Sequence, residues 1–144
     1  MFEVTETADL DIDAESAWRA VGDFGAVGHW HPMLAEVRSE GNTTGARRHV
    51  TATDGSKQVE RLDSYDPQRH CYRYHMESTG LPVRDYVAEF RIDGDGRHHS
   101  KATWSAYFAV TGRNGREGVQ AIREFLKAGV EALERRYAVV HSDG

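Results

Sequence analysis

The sequence predicts an α+β fold: a seven-stranded curved antiparallel sheet wrapped around one long C-terminal helix, with two short helices after the first strand. Three observations predict it. Strand-like runs joined by short turns fill residues 34 to 111 with no helical pattern among them, which reads as an antiparallel meander. An alternating run and two short helical patterns precede them. The chain then closes with Gly115 to Val140, in which Val119, Ile122, Leu126, Val130, Leu133 and Tyr137 recur at spacings of three and four. That spacing lays one apolar stripe along a helix of about 3.6 residues per turn. Sheet and stripe each need an apolar partner, and each is the other's.

Taken in order, residues 2 to 12 alternate. Phe2, Val4, Ala8, Leu10 and Ile12 face one way, and Glu3, Thr5, Thr7, Asp9 and Asp11 the other. Glu6 falls on the apolar side, either as a carboxylate at a rim or bulge or as a polar group aimed at whatever the sheet encloses. Asp13 is placed to cap a helix over Ala14 to Val21, with Ala14, Ala17, Trp18 and Val21 inward. Asp23-Phe24 and Val27 form a second helical turn. Pro32 ends it and biases His31 to an extended conformation. The strand runs that follow are Leu34 to Glu40, Ala46 to Thr53, Lys57 to Tyr65, Arg69 to Ser78, Val83 to Asp93 and His98 to Thr111. Turn chemistry separates them, clearest at Asp54-Gly55 and Gly94-Asp95-Gly96. Asn114 and Glu117 are spaced as a capping box for the last helix. Gly129 lies on or beside its stripe. Either helix and sheet pack closely there, or room is left between them.

Composition bounds the function. A single domain, 1–144, is expected for 144 residues. The charge balance is 18 basic against 23 acidic residues, which argues against nonspecific nucleic-acid binding and supplies no attraction to an anionic membrane. No apolar run approaches the roughly 20 residues that span a bilayer. No basic region followed by an apolar run opens the chain, so no signal peptide is expected. Cys71 is the one cysteine, which fits a reducing compartment, and a cytoplasmic location is expected.

An ordered set of residues then resembles a known superfamily. The set is Ala17-Trp18, Gly22-Asp23-Phe24, Trp30-His31-Pro32, Glu60-Arg61-Leu62 with Asp66, Pro82-Val83-Arg84-Asp85-Tyr86, Thr103-Trp104-Ser105 and the closing helix. Over nearly its whole length the chain resembles the START-like helix-grip superfamily (SRPBCC, the birch pollen allergen fold). It looks most like small bacterial members known as polyketide cyclases or dehydrases. The resemblance implies a cavity under the long helix for an apolar or aromatic molecule. In plant abscisic-acid receptors of this fold, a Glu and a Tyr on two strands reach the ligand; those positions are similar to Glu60 and Tyr86 here, with Asp85 standing where the receptors have Asn. Their anchoring Lys has no Lys counterpart, and His29 or His31 falls nearby. Because this fold hosts carriers, receptors and enzymes, the site must argue the function.

Strand alternation suggests the cavity walls. Tyr86, Ala88, Phe90 and Ile92 share a face, as do Ala102, Trp104, Ala106 and Phe108; His70, Tyr72, Tyr74 and Met76; Glu60, Leu62 and Ser64; and Arg48, Val50 and Ala52. Such walls are aromatic and mostly apolar with a few polar groups, the usual make-up of a small-molecule pocket. The expected ligand contacts are Trp30, Arg48, Tyr72, Tyr74, Trp104 and Phe108, with Leu126 and Val130 from the helix. His31, Glu60 and Tyr86 are the expected catalytic contacts. Arg48 and Glu60 face each other either as a tuned acid–base group or as a structural ion pair. His29-x-His31 beside Trp30 offers a proton shuttle, two metal ligands, or a histidine that only packs on Trp30. No carboxylate or cysteine stands at metal spacing beside it, so no metal is expected, and no phosphate-cradling loop is present, so no cofactor is expected. His98-His99 is expected to be exposed. His70 and Cys71 point to opposite faces, which disfavours a Cys–His nucleophile. Gly55 and Gly80 either hinge two hairpin tips over the entrance or simply turn the chain. The function expected is binding of a small hydrophobic or aromatic molecule, with cofactor-free acid–base chemistry on a polyketide-like substrate. The alternatives are a non-catalytic carrier or sensor, and an interaction module whose cavity its own side chains fill.

Overall fold

The structure is a computed structural model that describes residues 1–113 and 115–138. Its strands are β1 (Phe2–Leu10), β2 (Leu34–Ser39), β3 (Arg47–Ala52), β4 (Lys57–Asp66), β5 (Cys71–Thr79), β6 (Val83–Gly94) and β7 (Ser100–Val110). Its helices are α1 (Ala14–Val21), α2 (Val27–Trp30) and α3 (Gly115–Arg136), with a single 3-10 turn at Phe24–Ala26. The seven strands form one antiparallel sheet in the order β1-β7-β6-β5-β4-β3-β2. Six strands thus run as the predicted meander, and β1 joins its far edge beside β7. The α+β architecture expected from the pattern, and the helix-grip arrangement that the resemblance implied, are the ones observed. Asn114 and residues 139–144, which include part of the predicted last helix, lie outside the described residues.

Local chemistry explains the element ends. The Asp13 carboxylate accepts from the Ser16 amide at 3.0 Å and starts α1 as a side-chain cap. His31 is extended at φ −88°, ψ 120°, so α2 stops where Pro32 requires it to. β5 begins two residues later than predicted. Asp66 accepts from the Gln68 and Arg69 amides, both at 3.1 Å, and keeps Arg69 in a turn, while His70 takes φ +54°. β1 ends at Leu10 rather than Ile12. His98 and His99 are exposed in the β6–β7 turn, and His99 Nδ1 stands 3.2 Å from Asp11.

The alternation holds on β1, β3 and β7 and on β6 from Tyr86 onward, and it breaks on β4. Leu62 is buried, but Ser64 is exposed and Tyr65 turns inward against Trp18 and Tyr72. A bulge between Leu62 and Ser64 inserts one residue and shifts the phase, which corrects the inward reading of Ser64. Glu6 keeps to the inner side of β1 and is half-buried, opposite Trp104 on β7.

Helix α3 packs on β1 and β7, with Ile122, Leu126, Val130 and Leu133 buried. Gly129 lies on that face because two rings occupy the space a side chain would take. A Cβ there would stand 2.8 Å from His31 Cδ2 and 2.8 Å from Trp104 Cζ3. Of the two readings of Gly129, close packing is the one observed. The interior under the middle of α3 is filled by His31, Trp30, Trp104 and Phe90.

Candidate functional site

The register places Arg48 directly opposite Glu60, and Arg48 Nε donates to Glu60 Oε1 at 2.8 Å. Both are buried, Arg48 at 1% exposure and Glu60 at 6%. Arg48 Nη1 also donates to the Phe24 carbonyl at 2.8 Å and to the Tyr72 hydroxyl at 3.2 Å. The guanidinium carbon stands 4.2 Å from the Phe24 ring centre and 4.5 Å from that of Tyr74. Burial works most strongly against the Arg48 charge, yet the Glu60 carboxylate together with the Tyr72 and Tyr74 hydroxyls holds the guanidinium more firmly protonated than usual.

A second cluster lies beside the first. Trp104 Nε1 donates to the Tyr74 hydroxyl at 3.0 Å. The Tyr86 phenol is pushed above its ordinary range by burial and by the negative charge of Glu60, with a hydrogen bond to Tyr74 opposing. Burial likewise raises the Tyr72 and Tyr74 phenols. These hydroxyls are neutral at physiological pH and work as hydrogen-bond donors and acceptors.

His31 is tied at both nitrogens. Nδ1 accepts from the Met33 amide at 3.1 Å, so Nε2 carries the proton and donates to the Phe125 carbonyl at 2.8 Å. Its ring stacks on Phe125 with centres 4.1 Å apart. Burial, joined by the Arg48 charge, lowers its pKa to about 4 despite the bond to Phe125. A proton shuttle needs a free nitrogen, and neither is free. His29 is exposed while His31 is buried, so the pair does not converge.

The cavity lies between the first half of α3 and the two hairpin tips that join β3 to β4 and β5 to β6. Its volume is about 360 Å³. Leu81, Ile122, Phe125, Met33 and Met76 supply apolar wall, and Glu60 and Tyr86 are its buried polar members. Asp54, Lys57 and Glu124 stand at the exposed mouth, as does Gly80 in one tip, while Gly55, at φ +88° in the other tip, does not line the cavity. Gln58 accepts from Thr79 Oγ1 at 3.1 Å, and that hydroxyl takes the Leu81 amide at 3.1 Å, so one tip is tied to β4. A wider and shallower depression runs outside α3 past Phe2 and Glu117, open to solvent.

The structure therefore brings Glu60 and Tyr86 together on one wall. It places the other expected contacts elsewhere. Tyr72, Tyr74, Trp104, Phe108, Leu126 and Val130 belong to the packed core, Trp30 packs on Phe90 and Trp104, and Arg48 stands behind Glu60. His31 supports the wall through Phe125 without lining the cavity. Phe125, Met33, Gln58 and Leu81 escaped the sequence reading. Phe125 falls off the main stripe of α3; its one signal was Gly129, four residues on, which marks a close approach. The hairpin tips were signalled by Gly55 and Gly80.

A family model described as polyketide cyclase / dehydrase and lipid transport matches residues 1–138. No curated protein matches the chain by sequence. Among solved structures, protein XoxI from Bacillus cereus superposes with a TM-score of 0.87 at 22% identity, over 95% of this chain and 96% of that one. The Zhui aromatase/cyclase from Streptomyces sp. R1128 gives 0.77 at 19% identity, over 94% and 93%. A START superfamily protein from Mycobacterium smegmatis gives 0.75 at 18% identity, over 94% and 96%. At these identities the likeness shows the fold, and membership rests on the family match along nearly the whole chain. The chain belongs to the polyketide cyclase / dehydrase and lipid transport family.

Proposed function

We propose that this protein binds a small hydrophobic or aromatic molecule in the cavity between α3 and the two hairpin tips. The observation that carries the reading is a cavity of about 360 Å³ with mostly apolar walls and two buried polar groups, Glu60 and Tyr86, on one side. That size sits at the small end of the range of about 300–1,000 Å³ typical of ligand pockets. Glu60 accepts a hydrogen bond or a proton from the ligand, and Tyr86, held protonated, donates one. On an enolisable, polyketide-like ligand the two supply cofactor-free proton transfer by proximity. His31 positions the Phe125 wall.

A non-catalytic carrier or sensor is the second reading. It is favoured by the engagement of both His31 nitrogens and by the Arg48 partner on Glu60, which leave the buried end of the cavity without an unpartnered base among the described residues.

Native mass spectrometry of the purified protein, before and after denaturation, tests the binding itself. An organic mass that leaves on denaturation is expected. A bare chain, together with no amide shift on titration with aromatic compounds, would sink the reading. Once a ligand is in hand, turnover and affinity measured on the wild type, Glu60→Gln and Tyr86→Phe separate the two readings: an enzyme turns the ligand over and loses turnover in both variants, and a carrier shows no turnover and loses affinity only.

A further inference from the structure

Among the described residues, the buried end of the cavity carries a carboxylate and no reachable cation. Glu60 lines the cavity at 6% exposure. Arg48, which offsets its charge, does not line it. Nε is held on Glu60 at 2.8 Å, Nη1 is shared between the Phe24 carbonyl and the Tyr72 hydroxyl, and the Phe24 and Tyr74 rings stand against the guanidinium. The pair is a dipole whose negative end is on the cavity side. The other charged groups of the wall, Asp54, Lys57 and Glu124, are all at the exposed mouth, and Asp54 and Glu124 are acids.

Each ligand charge meets a different difficulty there. A carboxylate would face Glu60 with no cation to offset its lost hydration. An ammonium would give up its hydration for a carboxylate that already has Arg48 as partner. A neutral O–H costs far less to bury and has both an acceptor in Glu60 and a donor in Tyr86. Tyr86 experiences the same field. Burial and then the Glu60 charge keep its phenol protonated above the ordinary range.

We propose that the cavity selects neutral ligands that end in a hydroxyl donor, phenolic or enolic, and rejects those that end in a carboxylate. The inference rests on the reading of this cavity as the binding site.

The test uses probes that share one two-ring body: naphthol, methoxynaphthalene, naphthoate and naphthalene. Each is titrated into the wild-type protein at neutral pH while the backbone amides of Leu81, Ile122 and Phe125 are followed by NMR. Naphthol is expected to bind about tenfold or more tighter than methoxynaphthalene and naphthoate, the loss expected when a hydrogen bond to a charged acceptor is removed. Glu60→Gln, checked for native fold in the same spectra, is expected to narrow the naphthol advantage. If that variant unfolds, the wild-type probe series decides alone. Naphthoate binding as tightly as naphthol overturns the selectivity and leaves the cavity reading standing. Failure of all the probes, naphthalene included, to move these amides overturns the cavity reading and the selectivity with it.

Discussion

His31 Nε2 donates to the backbone carbonyl of Phe125 at 2.8 Å and joins the α2 end to the middle of α3. Its Nδ1 faces the Met33 amide, a donor, at 3.1 Å. A protonated ring would set one N–H against another. Burial, joined by the Arg48 charge, holds its pKa at about 4, against an ordinary value of 6.5. The unfolded chain binds this proton more readily, so the neutral ring contributes stability in full above pH 6.5, and the contribution is lost as pH falls toward 4. At about 1.4 kcal/mol per unit, the loss amounts to about 3 kcal/mol. Urea denaturation of wild type and His31→Gln between those pH values checks it. The wild type is expected to lose more stability than the variant. Parallel curves would remove His31 as the cause.

Gly129→Ala tests the packing beneath α3. Alanine favours a helix over glycine by about 1 kcal/mol. Here its Cβ would stand 2.8 Å from both the His31 and Trp104 rings, and neither ring is the loose end of a flexible chain. A net destabilisation of about 1–3 kcal/mol is expected from the overpacking. Thermal unfolding of the variant reads it out, and a higher melting temperature would show that the rings yield.

The Arg48–Glu60 pair predicts non-additive mutants. Arg48→Met alone leaves a buried carboxylate and Glu60→Leu alone leaves a buried guanidinium, each at a cost of about 3–5 kcal/mol. The double variant leaves neither and is expected to recover most of that loss. A double-mutant cycle by chemical denaturation measures the coupling. Additive losses would mean that the two charges are stabilised separately.

Asp85 aims Tyr86. Val83 and Tyr86 are three residues apart and yet both buried, which plain alternation forbids. A bulge between Arg84 and Val87, with Asp85 at φ +53°, absorbs the extra residue. Asp tolerates that left-handed conformation and a β-branched residue does not. Asp85→Gly is expected to be nearly neutral, and Asp85→Val to cost about 1–3 kcal/mol and weaken ligand binding. Melting temperatures and probe titrations of the two variants check it. Equal behaviour would detach the bulge from the placement of Tyr86.

Much of the fold was legible because its signals are local. The α3 stripe, the cap at Asp13, the stop at Pro32 and the hairpin turns each depend on residues within a few positions of one another. The facing of Arg48 and Glu60 was legible too, since the alternation of β3 and β4 holds up to that point. Past Leu62 it failed, because a bulge that adds one residue leaves no mark in the period on either side of it.

By itself, then, the sequence determined the order of elements and most of the apolar side of each, and it offered Arg48, Glu60, Tyr72, Tyr74 and Tyr86 as polar candidates on the sheet. Only the tertiary structure decided where the empty space lies. Periodicity says which side chains face inward, but a cavity is what remains after they have filled the volume between the layers. Here His31, Trp30 and Trp104 fill the middle of α3 against Gly129, and the space left over opens beside Phe125 between the two hairpin tips.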